Sequence, residues 1–98
     1  QGGLAVLQTR GGPVHGLDDL RGRRFAVLDR HEGDSDRTTQ RLGAVLEAPL
    51  EAEPVENFRA GIDAIEAGRV SGLVSESANI DVFLARHGDD YERSPPLT

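Results

Sequence analysis

The stretch Arg24-Phe25-Ala26-Val27-Leu28-Asp29-Arg30-His31-Glu32-Gly33-Asp34-Ser35, with the stripe Leu42, Val45 and Leu46 that follows it, decides the fold. Its first five residues are largely apolar and end in a polar run, the pattern of a short buried strand. From Ser35 the period changes. Leu42, Val45 and Leu46 fall at i, i+3 and i+4, a helical stripe that Pro49 stops. Ser35 has the chemistry of a helix N-cap, and Asp36 suits the positive end of the helix dipole. A buried strand that leads through a polar loop into a helix is one unit of an α/β layer.

The alternation extends in both directions. Leu4-Ala5-Val6-Leu7 reads as a strand bounded by Gly3 and by Gly11-Gly12-Pro13. Gly16 to Gly22 suits a single helical turn whose leucines, Leu17 and Leu20, share a face. Leu50 to Val55 alternates apolar and acidic residues with Pro54 inside, which fits a short strand with an exposed face or edge. Asn57 caps a second helix carrying Phe58, Ile62 and Ile65 and ended by Gly68. Val70 to Val74 is a further apolar strand. Ser77 caps a third helix, with Ile80, Phe83 and Leu84 on one face and Gly88 at its end, and Asp90 to Ser94 is a last short strand before Pro95-Pro96. The order β, turn, β, α, β, α, β, α, β predicts an α/β fold: a three-layer αβα sandwich around a mostly parallel, roughly five-stranded sheet, with residues 1–98 forming one lobe. Leu42, Val45, Ile62, Ile65 and Phe83 are the expected core of its helices.

Composition narrows the function. The 98 residues carry 17 acidic and 11 basic side chains for a net charge of −6, and every basic residue is arginine. Such a balance argues against a nucleic-acid or anionic-membrane partner, which needs a basic patch. With no cysteine there is no disulfide, thiolate metal site or cysteine nucleophile. No run approaches the roughly 18 apolar residues of a membrane span. Gln1-Gly2-Gly3 is followed by an apolar run too short for a signal peptide. Phosphate-cradling and nucleophile-elbow motifs are absent from the sequence, so neither a cofactor nor catalysis is expected. The absence of lysine also removes a receiver-type αβ module, which needs a late lysine. His15, His31 and His87 are far apart and lack the spacing of metal ligands.

Five segments together resemble the second, inserted lobe of a type 2 periplasmic solute-binding protein, the amino-acid-binding branch above all. They are Gly16 to Val27, close to that family's D-L-x-G segment and the strand after it; Gly33-Asp34-Ser35, where the family has a small-residue turn opening a helix; Ala64 to Val74; Glu76-Ser77-Ala78; and Tyr91 to Thr98. The resemblance implies an extracytoplasmic lobe that contributes half of an inter-lobe site for an amino-acid-like ligand, with a first lobe and an ABC transporter permease as partners. Leu4 to Leu7 and Arg93 to Leu97 then stand where the family's hinge strands lie.

The resemblance also implies roles. Ser35 stands where the family holds the ligand's α-carboxylate with a hydroxyl and an amide, and Glu76 stands where an Asp pairs with the α-ammonium. Asp34 departs from the family's small hydroxyl residue, and a carboxylate beside an anion pocket repels another. Ser71 departs from a common Asp. Arg30, at a strand end, and Arg37, in the first helical turn, are positioned to supply charge to the ligand, and Arg37 also to neutralise Asp34. The ligand-binding set expected is therefore Ser35, Glu76, Asp34, Arg30 and Arg37. The alternative is a non-enzymatic interaction or structural α/β module whose ligand cleft is unused.

Overall fold

The computed structural model describes residues 3–87 and 89–97. Five strands and three helices alternate as expected: β1 (Leu4–Thr9), a 3₁₀ turn (Leu17–Leu20), β2 (Arg24–Leu28), α1 (Asp34–Leu46), β3 (Glu51–Val55), α2 (Phe58–Glu66), β4 (Leu73–Glu76), α3 (Ser77–His87) and β5 (Tyr91–Arg93). The strands form one sheet in the order β3-β2-β4-β1-β5. β2 runs parallel to both β3 and β4, while β1 runs antiparallel to both β4 and β5. Four of the five strands thus share a direction, and β1 alone opposes them.

The two faces of the sheet are covered by different helices because the side chains of each strand alternate. On one face Leu42 and Leu46 of α1 pack with Phe25, Val27, Val6 and Val74, closed by Leu20 and Leu97. On the other, Ile62 of α2 and Ile80 of α3 pack on Ala5, Leu7, Ala26 and Leu73. Gly61 lets α2 sit close to the sheet, since a Cβ there would lie 3.0 Å from the Leu73 side chain. β3 is an edge strand, and Pro54 lies within it, where a missing N–H is tolerated.

Two buried polar side chains tie the segments flanking this sheet to it. Gln8 accepts from the Val14 amide at 3.0 Å and donates to the Val14 carbonyl at 3.0 Å, which fastens the loop after β1. The Ser94 hydroxyl accepts from the Val6 amide at 2.9 Å and donates to the Pro95 carbonyl.

Local details differ from expectation. Val45 is 56% exposed, whereas Leu46 is buried. The face of α1 turned to the sheet is Ser35, Leu42 and Leu46, separated by seven and four residues, and Val45 falls off that stripe. Ile65 and Phe83 are half-buried at the margin of the second core. β4 begins at Leu73 rather than Val70 and runs through Glu76. Asn57 caps α2 as expected, its Oδ1 accepting from the Ala60 amide at 2.8 Å. Ser77 instead spends both its amide and its hydroxyl on the Gly3 carbonyl, each at 2.9 Å, joining the start of α3 to the segment before β1. Gly88, the expected end of α3, lies outside the described residues.

Candidate functional site

The chain winds one way from β2 through α1 to β3, then returns through α2 past β2 to β4. α1 and α2 therefore lie on opposite faces, and the connections diverge between the carboxyl ends of β2 and β4. Open α/β sheets form a ligand crevice at such a reversal. A cleft of about 460 Å³ occupies that place. Its floor is made by the strand ends, including Leu28, Ser75 and the start of antiparallel β1 at Leu4, which pairs in register with Glu76.

Four of the five residues expected from the sequence line this cleft: Arg30, Asp34, Arg37 and Glu76. Each arrives by a different local route. Arg30 follows β2 and is exposed, with no ion pair among the described residues. Glu76 is the last residue of β4 and is exposed. Asp34 and Arg37 sit one turn apart on α1 and form an ion pair. The cleft is rimmed by a third arginine, Arg41, and by Thr38 and Asn79. Sequence reasoning missed Arg41, although its spacing of four from Arg37 and seven from Asp34 places it on the same helical stripe. Three arginines against two carboxylates give this cleft a positive balance in a chain of net charge −6.

Ser35 is the exception. It is 8% exposed and does not line the cleft. Nor is it the N-cap of α1. Gly33 holds that position with φ +86°, which a residue bearing a Cβ rarely adopts, and Ser35 is the second residue inside the helix. The Ser35 amide donates to Oδ1 of Asp29 at 3.1 Å. The preceding amide, of Asp34, donates to the His31 carbonyl at 3.0 Å, and the His31 amide donates to Oδ2 of Asp34 at 2.9 Å. The five residues of the β2–α1 loop thus close upon the helix start. Asp29 does not pair with Arg30; its carboxylate serves the helix.

The His31 amide, and after it the Arg37 guanidinium, keep the Asp34 carboxyl below its ordinary value against some desolvation. No group of three or more potential metal ligands comes together among the described residues. No helix among them is long and apolar enough to cross a membrane.

No protein-family model and no curated protein matches the chain. Solved structures do. An ancestral arginine-binding protein bound to glutamine is similar with a TM-score of 0.72 and 17% identity, over 99% of this chain and 41% of that one. The GluR0 ligand-binding core from Nostoc punctiforme in complex with L-glutamate gives a TM-score of 0.72 and 15% identity, over 98% and 42%. Holo ArgBP from T. maritima gives 0.70 and 19%, over 99% and 41%. The chain spans about two fifths of the length of these structures. Its fold is that of one lobe of a type 2 periplasmic solute-binding protein.

Proposed function

We propose that this chain is one lobe of a two-lobed, extracytoplasmic solute-binding protein, and that its cleft is half of an inter-lobe site for a small, charged, amino-acid-like ligand. The observation that carries this reading is the gathering of Arg30, Arg37, Arg41, Asp34 and Glu76 at the point where the winding of the sheet reverses. A cleft with both signs of charge, open on one side, is suited to a zwitterion that a second lobe then covers. Arg30 and Arg41 are the groups for the ligand's anionic end, and Glu76 for its cationic end. Transport through an ABC-type permease and sensing through a receptor both use such closure, and either fits a binding role without chemistry.

The test is affinity in the two-lobed protein. Arg30→Ala and Glu76→Ala should each weaken binding of the best ligand from an amino-acid panel by about tenfold or more, the contribution of one hydrogen bond to a charged group. Arg69→Ala, which removes an exposed pair with Glu53 away from the cleft, should leave affinity unchanged. Equal effects of all three would defeat the assignment.

The second reading, an interaction module with an unused cleft, draws on the internal pairing of Asp34 with Arg37 and of Asp29 with the α1 amide. It predicts that the two-lobed protein binds no member of the panel.

A further inference from the structure

A second hollow opens where the start of α2 meets α3. Phe58, the first residue of α2, stacks on Phe83 of α3 with ring centroids 5.3 Å apart, and the His87 ring lies 4.7 Å from that of Phe83. Phe58 and Phe83 are only half-buried, and Val82 beside them is 60% exposed, so apolar surface is left in water here. The hollow they line measures about 340 Å³, within the range of small-molecule sites. Its ionisable lining is wholly basic: Arg30, Arg86 and His87. Arg21, Arg24, Arg37, Arg59, Arg69 and Arg93 each have an acidic partner, whereas Arg30 and Arg86 have no ion pair among the described residues. The two arise from different elements, the β2–α1 loop and the last turn of α3. The α3 dipole accounts for a cation at Arg86 but not for Arg30. The larger hollow that shares Phe83, Arg86 and His87 also carries Glu66, Asp89 and Asp90, and has no such imbalance.

We propose that this hollow is a binding site for a small aromatic carboxylate. The ring of the ligand lies against Phe58 and Phe83, offset as aromatic pairs prefer. Its carboxylate is taken by the Arg30 and Arg86 guanidiniums, whose planar fork of N–H donors matches that group. Each half of the ligand answers one feature of the hollow: the rings and Val82 leave apolar surface to cover, and the two arginines leave charge to neutralise. An uncharged arene leaves the guanidiniums unanswered, and a bare anion leaves the rings in water. Arg30 and Asn79 also line the cleft between the ends of β2 and β4, so the two sites adjoin. The aromatic site stands whether or not that cleft takes an amino acid.

The full-length protein, labelled with ¹³C on its phenylalanine rings, is titrated with sodium benzoate and followed by NMR. The Phe58 and Phe83 signals should shift saturably with one midpoint, while that of Phe25, 0% exposed in the core, stays fixed. Sodium acetate and benzyl alcohol, which carry the anion and the ring separately, should each bind at least about tenfold more weakly than benzoate. Arg86→Gln should weaken benzoate by about tenfold, the worth of one charge-assisted hydrogen bond, and Arg69→Gln, away from the hollow, should not. Val82→Glu sets a repelling carboxylate on the rim and should weaken benzoate as well. Positions 82 and 86 are both exposed, so both variants keep the fold. No saturable shift at Phe58 and Phe83, benzyl alcohol or acetate binding as well as benzoate, or an Arg86→Gln or Val82→Glu protein that binds benzoate as the wild type does, overturns the proposal. Benzoate has no ammonium group and reads this hollow alone, so a failure of the half-site reading leaves a different signature.

Discussion

Replacing Gln8 tests how a polar side chain holds this sheet together. Gln8 is 1% exposed and Val14 is 0% exposed, so the two backbone groups of Val14 that Gln8 satisfies have no access to water. Both groups belong to the main chain, so replacing the Gln8 side chain leaves them in place. Losing the amide leaves one donor and one acceptor buried without partners, at about 1–3 kcal/mol each. We take about 3 kcal/mol in total, since the loop will admit some water. A chain of this length has a net stability of about 5–15 kcal/mol, so the loss is a large share of it. The expected result for Gln8→Met, which keeps the volume, is a fall in melting temperature of about 15 °C. In urea the midpoint should fall by about 2 M at a slope near 1.5 kcal/mol/M. Gln8→Ala adds a cavity and should cost about 1 kcal/mol more. Glu92, whose carboxylate meets the same amide at 3.3 Å in a half-buried setting, should matter far less when replaced by Ala. Chemical denaturation of the three variants is the assay. If Gln8→Met stays within about 0.5 kcal/mol of wild type, packing alone holds the loop and the reasoning is refuted.

Other outcomes follow from the same structure. Gly72→Ala should lower stability by about 1–3 kcal/mol, because its Cβ would stand 2.5 Å from Val6 Cγ1 and 2.9 Å from the Leu7 carbonyl; Gly16→Ala, with open space around it, should not, and thermal denaturation of both reads the contrast. The Asp34 carboxyl is held below its ordinary value, so its contribution to stability is present above the carboxylate range and lost as pH falls through its folded value; Asp34→Asn should flatten the acid limb of a melting-temperature profile. Burial, and then the hydrogen bond to Glu66 at 2.7 Å, push the Tyr91 phenol up to about 12. As the single tyrosine it gives a clean tyrosinate absorbance titration, which should lie well above the ordinary value of 10.0 and fall partway back in Glu66→Gln. Because the folded value is raised, the stability it contributes is full below the ordinary phenol range and disappears as pH climbs through about 12.

The order of elements was legible because each strand is an apolar block and each helix carries its own punctuation. Asn57 and Gly68 bracket α2 as their chemistry requires, and Pro54 marks an edge. What sequence could not show was how five loop residues fold back. Gly33, Asp34 and Ser35 are all acceptable helix caps, and the choice among them rests on Gly33 adopting a positive φ while Asp29 reaches the Ser35 amide from six residues away. One clue was available: Ser35, Leu42 and Leu46 share a face, which puts Ser35 inside the helix and leaves Val45 outside the core. Gln8 carried no such clue, since a glutamine in a strand looks the same whether it faces water or caps a buried loop. The cleft was half legible. Arg30 and Arg37 were expected from a strand end and a helix start, and Glu76 and Asp34 from the family resemblance, and the four converge; Ser35 was expected from the same resemblance and is turned away.

Calorimetric titration of an amino-acid panel, run in parallel on the 98 residues alone and on the two-lobed protein, addresses the half-site directly. The account predicts micromolar or tighter binding of one charged amino-acid-like solute by the two-lobed protein, and affinity weaker by at least about a hundredfold for the lone lobe, which lacks half of the contacts and the closure. Tight binding by the 98 residues alone, or none by the two-lobed protein, would contradict it.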